Sequence, residues 1–266
     1  MGLPVMPLRE FFALAKVPFV VDRRRAVRDV APLLAGAALL VAIDMGLSAA
    51  TTPEIESEAA IGSLYAIRFV LASLYVVALC RRGASPSADF GIDRSRLRED
   101  ARWSAAVVVT GALVTAAIAI LAAAILAAAG SLPQLPASVE KMLDVTALLR
   151  DLPRTLGDAA AALVAAPLQE ELVYRAILLP PLLMLLPAWV AIAVNALVFA
   201  FLHAVPYGFG WFVPAQLLGG VLMSIAFCAR HSIVPAILVH SAGNLVLACG
   251  GVLYANLPRV WPTLFA

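Results

Sequence analysis

Charge is scarce in this chain. Lys, Arg, Asp and Glu together make up 14% of its 266 residues, against 63% hydrophobic residues and a mean hydropathy of +0.95, well beyond the apolar fraction of soluble domains. Cysteine and histidine are rarer still, with 3 residues each. Cys80, Cys228 and Cys249 show no CxxC or other metal-ligand spacing and fall in or at the ends of apolar stretches, so they read as small core residues. The alternating strands of about ten residues that build a membrane barrel are missing. So are internal repeats, low-complexity linkers and any compact HExxH that would preset two zinc ligands on one helix. Arg9, Glu10 and Lys16 interrupt the first apolar run and no small-residue cleavage site follows it, so no secretory leader is expected and the mature chain is read as the whole chain.

What is present is a series of apolar runs of about 18 to 25 residues, each long enough as a helix to cross roughly 30 Å of hydrocarbon. Bare backbone cannot sit in lipid, which leaves helices as the way to span. The expected fold is all-α, a polytopic transmembrane bundle of seven to eight spans with a polar intramembrane cavity. Residues 1–29 read as an interfacial segment whose cluster Arg23, Arg24, Arg25 and Arg28 suits anionic lipid. Residues 30–154 hold the N-terminal helices, expected at about 30–50, 59–80 and 103–129. Between them lies a charged loop over 81–102 with Arg81, Arg82, Arg94, Arg96, Arg98 and Arg102. Residues 155–253 hold helices expected at about 157–179, 187–204, 212–229 and 233–253, with Pro180, Pro181 and Pro187 marking the first turn. Residues 254–266 form a tail. Counting Arg and Lys by loop puts the N-terminus and the 81–102 loop in the cytoplasm, and an Ala- and Arg-rich chain without an organelle-targeting segment points to a bacterial inner membrane.

An ionisable residue inside a spanning helix costs at least about 2.5 to 3.5 kcal/mol, so a group of them needs partners or a cavity. One such group is Gln169-Glu170-Glu171-Leu172-Val173-Tyr174-Arg175. Glu171 and Arg175 are four apart on one helix face, where the guanidinium can neutralise and orient the carboxylate. Glu170 points about 100° away and is left for something else. The bland reading of the same residues is a solvated helix end. Two further sites weigh against it: His203, one turn after Phe199 on the same face, and the pair His240 and Asn244, four apart in the last apolar helix. If the chain reverses near Pro187, Glu170 stands 17 residues before the turn and His203 stands 16 after it, so antiparallel helices bring them to one depth. His240 is only a few residues into its own helix, a mismatch relieved if Pro180 and Pro181 move the turn or the last helix starts deeper. His231, beside Arg230 at a helix end, reads as a solvated cap, and Asp44 and Arg68 as a possible structural pair.

A carboxylate beside an imidazole in a shielded site can hold a water and take its proton. In that assignment Glu170 is the general base, His203 its partner, His240 and Asn244 the oxyanion donors, and Glu171 with Arg175 the positioning pair. The same residue types could bind zinc through Glu170, His203 and His240. The metal-free route, which requires no cofactor, ranks ahead because no HExxH presets the ligands. Ser224 and Ser241 lack a nucleophile-elbow context.

Glu-Glu-x-x-x-Arg at 170–175, Phe-x-x-x-His at 199–203 and His-x-x-x-Asn at 240–244, in that order on successive apolar helices, resemble the motifs of the CAAX-protease and bacteriocin-processing family, also called Abi. That family includes the type II CAAX prenyl endopeptidase. The resemblance covers about 155–250 and implies a helical bundle with a polar cavity and an endopeptidase whose Glu170 and His203 activate water while His240 and Asn244 hold the oxyanion. Family members are often labelled metalloproteases, and a glutamate mechanism without metal has been argued for the prenyl endopeptidase. The expected partners are a peptide or membrane-associated protein substrate and the lipid bilayer, with no nucleic acid. The rival functions are a transporter, since buried Glu, Arg and His also mark substrate pathways, and a catalytically silent relative serving immunity or scaffolding. The lack of an inverted repeat speaks against the first.

Overall fold

The computed structural model describes residues 34–43, 46, 58–81, 84–128, 149, 152–207 and 212–260, and all regular structure among them is helical. In chain order the helices are α1 (Leu34–Ile43), α2 (Glu58–Cys80), α3 (Pro86–Phe90), α4 (Leu97–Ala128), α5 (Leu152–Ala160), α6 (Ala166–Glu171), α7 (Leu179–Leu185), α8 (Ala188–Tyr207), α9 (Phe212–Arg230) and α10 (Ile233–Val260). The segments 1–29 and 261–266, the link after α4 and Asp44 lie outside the described residues, so the pairing of Asp44 with Arg68 does too. Arg68 lies 5.7 Å from the Tyr65 ring centroid.

The expected 81–102 loop is structured. It contains α3, a 3-10 turn over Arg94–Arg96 started by Asp93, whose side chain accepts the Ser95 N–H, and the first residues of α4. Glu99 and Asp100 in the first turn of α4 suit the positive end of the helix dipole. Both reach Arg230 at the end of α9, at 2.6 and 3.0 Å. The same loop holds the start of α10, since the Ile233 N–H donates to the Gly91 carbonyl at 2.9 Å. Gly91 has φ +65, and a Cβ there would meet Phe227, His231 and Ser232 at 3.0–3.1 Å, so only glycine fits. His231 is not a solvated cap. It is partly buried in the turn between α9 and α10, with a left-handed φ of 48.

The largest departure from the hydropathy reading is at Pro180 and Pro181. They do not break the helix. Two π-helical stretches, Ala161–Ala165 and Leu172–Leu178, join α5, α6 and α7, and every junction residue is right-handed helical, so the rod runs from Leu152 to Leu185. In the second stretch the Leu179 N–H reaches back to the Tyr174 carbonyl, five residues earlier. Pro180 and Pro181 then follow at the first positions of α7, where a missing N–H is tolerated. The chain turns instead at Leu186, extended at φ −121 and ψ 155, as the residue before a proline prefers to be.

The core gathers where this rod meets α2, α8, α9 and α10, around Tyr174, Ile177, Leu179, Phe199 and Phe227. Large apolar side chains also face outward, among them Leu74, Leu113, Trp189, Leu197, Leu218 and Leu245. An apolar exterior on this scale suits lipid rather than water. Among the described residues one helix, Ile233–Val252, is long and apolar enough to cross a membrane. Cys80 and Cys228 are partly buried and pack against this core, whereas Cys249 is exposed and is not a core residue.

Candidate active site

Three helices bring residues spaced by four to the side of the rod: Asn195, Phe199 and His203 on α8, the Gly220 carbonyl with Ser224 behind it on α9, and His240 and Asn244 on α10. Facing them on the rod are Glu170, Glu171, Tyr174 and Arg175.

Glu171 and Arg175 form the expected pair, with NH1 3.0 Å from Oε1, and both side chains are fully buried. Such a pair is stable only if further polar contacts offset the loss of water. Arg175 NH2 donates to the Gly220 carbonyl at 3.1 Å, and the guanidinium sits 4.6 Å from the centroid of the Phe199 ring. Glu171 Oε1 also accepts from Nδ1 of His240 at 2.8 Å. His240 therefore belongs to the ion pair, a contact that spacing within single helices could not reveal.

Glu170 lies between the two imidazoles. Its Oε2 is 3.7 Å from Nε2 of His203 and 3.8 Å from Nε2 of His240, and it is buried without a hydrogen bond. The ring orientations follow from the other nitrogens. His203 Nδ1 is 2.8 Å from the Phe199 carbonyl, which can only accept, so Nδ1 carries the proton. His240 Nδ1 likewise donates to the carboxylate of Glu171. Both Nε2 atoms are thus turned on one carboxylate oxygen at a separation too long for a direct hydrogen bond. Phe199, fully buried, forms the wall behind this group: its ring centroid is 4.5 Å from that of His203, 5.8 Å from His240 and 5.3 Å from Tyr174.

The depth mismatch noted for His240 is resolved by placement. His203 and His240 both reach Glu170 although one lies near the end of α8 and the other in the second turn of α10. Asn244 stands apart from this group: its Nδ2 donates to the Ala162 carbonyl at 2.8 Å, in the first π stretch. Ser241 and Ser224 both donate back to their own helices, at Ile237 and Gly220. His231 lies in the turn before α10, where burial and then the nearby Arg96 charge push its pKa down.

Zinc fits these donors in type. Among the described residues no group of three or more His, Cys, Asp or Glu has the geometry to hold a metal ion.

Two buried amides were not singled out from sequence. Asn195 is fully buried, with Nδ2 donating to the Tyr174 carbonyl at 2.7 Å and Oδ1 3.1 Å from Ser224 Oγ. Gln169 is fully buried as well, with neither amide atom hydrogen-bonded. The cost of unmet polarity in lipid, applied to amides as it was to charges, would have flagged both.

Residues 153–246 match the family model described as Type II CAAX prenyl endopeptidase Rce1-like, just over a third of the chain. That stretch takes in all six residues of the candidate site. Comparison with curated proteins and with solved structures returned no match.

Proposed function

We propose, from the match of residues 153–246 to the Type II CAAX prenyl endopeptidase Rce1-like family model, that this chain is a polytopic membrane endopeptidase working through Glu170. The observation that carries the reading is the convergence of two Nε2 atoms on Glu170 Oε2 at 3.7 and 3.8 Å, with each Nδ1 already committed. A water seated to one side of that gap, about 2.8 Å from each atom, can bridge carboxylate and imidazole.

Glu170 takes a proton from this water as its oxygen attacks the scissile carbonyl carbon. The developing oxyanion needs donors fixed in a dry site. Because Nδ1 of His240 donates to Glu171, its Nε2 can donate only as the imidazolium. Asn244, held by the Ala162 carbonyl, offers the second hydrogen of its amide. As the C–N bond breaks, the proton on Glu170 passes to the leaving nitrogen, which returns the carboxylate to its starting state. Glu171 and Arg175 act by holding His240, and His203 by bordering the water.

The substrate in this reading is a peptide of a membrane-associated protein, met within or beside the bilayer. The N-terminus is assigned to the cytoplasm of a bacterial inner membrane. The test is cleavage of a peptide library by purified protein in detergent or nanodiscs, comparing wild type with Glu170→Ala and His203→Ala, with and without chelator. Loss of cleavage in both variants is expected. Activity that survives both substitutions removes the proposed site, and activity lost on chelation and restored by zinc removes the metal-free mechanism.

A further inference from the structure

The Arg175 ion pair is the start of a longer buried chain of polar contacts. From Arg175 NH2 it runs to the Gly220 carbonyl at 3.1 Å, from there to Ser224 Oγ at 2.7 Å, on to Asn195 Oδ1 at 3.1 Å, and from Asn195 Nδ2 to the Tyr174 carbonyl at 2.7 Å. Tyr174 directly precedes Arg175, so the path leaves the rod and returns to it one residue away. Asn195 and Ser224 are both fully buried.

Two features make this a clamp rather than casual pairing. The first is the π stretch. The Tyr174 carbonyl already accepts the Leu179 N–H across five residues, and Asn195 supplies its second donor. A π turn is an irregular arrangement that tertiary contacts must hold. The second is the approach of α8 to α9. A Cβ on Gly220 would meet Ala196 Cα at 3.0 Å and its Cβ at 3.1 Å, and the bare glycine lets the two helices come close enough for Ser224 to reach Asn195. Ser224 has one proton for two acceptors, Gly220 O at 2.7 Å and Asn195 Oδ1 at 3.1 Å, so it shares that proton between the two ends of the path.

We infer that Asn195 is a positioning residue for the Glu170 site, acting through the π stretch, Ser224 and Arg175 to fix the Glu171 carboxylate on which Nδ1 of His240 rests. Its effect travels through the rod. This deepens the endopeptidase reading and rests on it for its catalytic consequence, but the placement of His240 can be measured without a substrate.

The chain has only three histidines, His203, His231 and His240, so nitrogen NMR of histidine-labelled protein in nanodiscs can follow each ring. In wild type His240 should show a single form with the proton on Nδ1 while neutral. In Asn195→Ala, and to a lesser degree in Ser224→Ala, the His240 ring nitrogens should shift and show a second form protonated on Nε2. His231, in the turn after α9 and held by contacts of its own, should keep its wild-type resonances and serve as the control for folding. Unchanged His240 nitrogens in a Ser224→Ala or Asn195→Ala protein whose His231 signals are intact overturn the inference. Asn195→Ala protein that does not fold leaves Ser224→Ala to decide it in the same spectrum. Wild-type protein that cleaves no peptide while the His240 changes occur counts against the endopeptidase reading alone.

Discussion

Nδ1 of His240 rests 2.8 Å from Oε1 of Glu171 across 69 residues of chain, and the same oxygen is 3.0 Å from Arg175. A histidine in the last long helix is thereby oriented by an ion pair internal to another. Its far nitrogen is left facing Glu170 at 3.8 Å. The arrangement divides two adjacent glutamates between separate tasks, one holding and one facing the imidazoles.

Removing one member of the buried pair should be costly. Arg175→Met leaves Glu171 charged and buried with only His240 against Oε1, and is expected to lower stability by about 3 to 5 kcal/mol. The double variant Glu171→Leu, Arg175→Met should recover most of that loss in a thermal melt while remaining inactive. A double variant as unstable as the single one would show that the charges themselves are not what the site must balance.

Glu170→Gln keeps the shape of the side chain and removes the base. Cleavage should fall on the order of 10²- to 10⁴-fold, with little change in melting temperature, because Oε2 makes no hydrogen bond for the amide to lose. A melting temperature that collapses along with activity would assign Glu170 a structural role.

Phe199 carries both packing and orientation. Phe199→Ala should cost about 3 to 5 kcal/mol as a large-to-small change at a fully buried site. Phe199→Leu retains most of the volume and should melt much closer to wild type. It should nevertheless lose activity, since the ring between Arg175, His203 and His240 is gone. Full activity in Phe199→Leu would reduce the ring to filler.

Gln169 provides a test with two informative signs. A buried amide without partners is destabilising by roughly 1 to 3 kcal/mol, so Gln169→Met should melt at or above the wild-type temperature. If it melts lower, the amide has a partner in the working protein, and a parallel loss of cleavage would place that partner on the substrate.

The turn before α10 should respond to acid. The folded-state pKa of His231 lies below its ordinary value of 6.5, through burial and then the Arg96 charge. The folded protein therefore binds fewer protons than the unfolded chain as pH falls through 6.5 and toward the lower folded value, and stability is lost over that window. His231→Asn accepts the left-handed φ of 48 and cannot take up the proton. Its melting temperature should fall less than that of wild type between pH 7.5 and pH 5.5; an equal fall would show that His231 contributes nothing to acid sensitivity.

Much of the site was legible because its residues are expensive where they stand. Glu170, Glu171, Arg175, His203, His240 and Asn244 were singled out as polar groups in apolar helices, and the pairing of Glu171 with Arg175 and of Glu170 with His203 followed from helix periodicity and hairpin length. The structure brings five of the six together and ties Asn244 to the Ala162 carbonyl one turn further along α10. Asn195 escaped notice, and Ser224 was weighed only as a nucleophile, because an uncharged amide and a hydroxyl barely disturb hydropathy. Pro180 and Pro181 misled for the opposite reason: they are strong breakers in an α-helix, and a π stretch just before them changed what their positions require.

The sequence by itself determined the helical class and which side chains could not stay unpartnered, since both follow from local composition and a fixed repeat of 3.6 residues per turn. Only the tertiary structure decided that His240 divides its two nitrogens between Glu171 and Glu170. Contacts between helices depend on where each helix starts and how it is rotated. Here those are set by an extra residue in a π turn, a bare Gly220 against Ala196, and a Gly91 carbonyl that receives the first N–H of α10. None of these leaves a mark in hydropathy, and together they bring both imidazoles to one carboxylate.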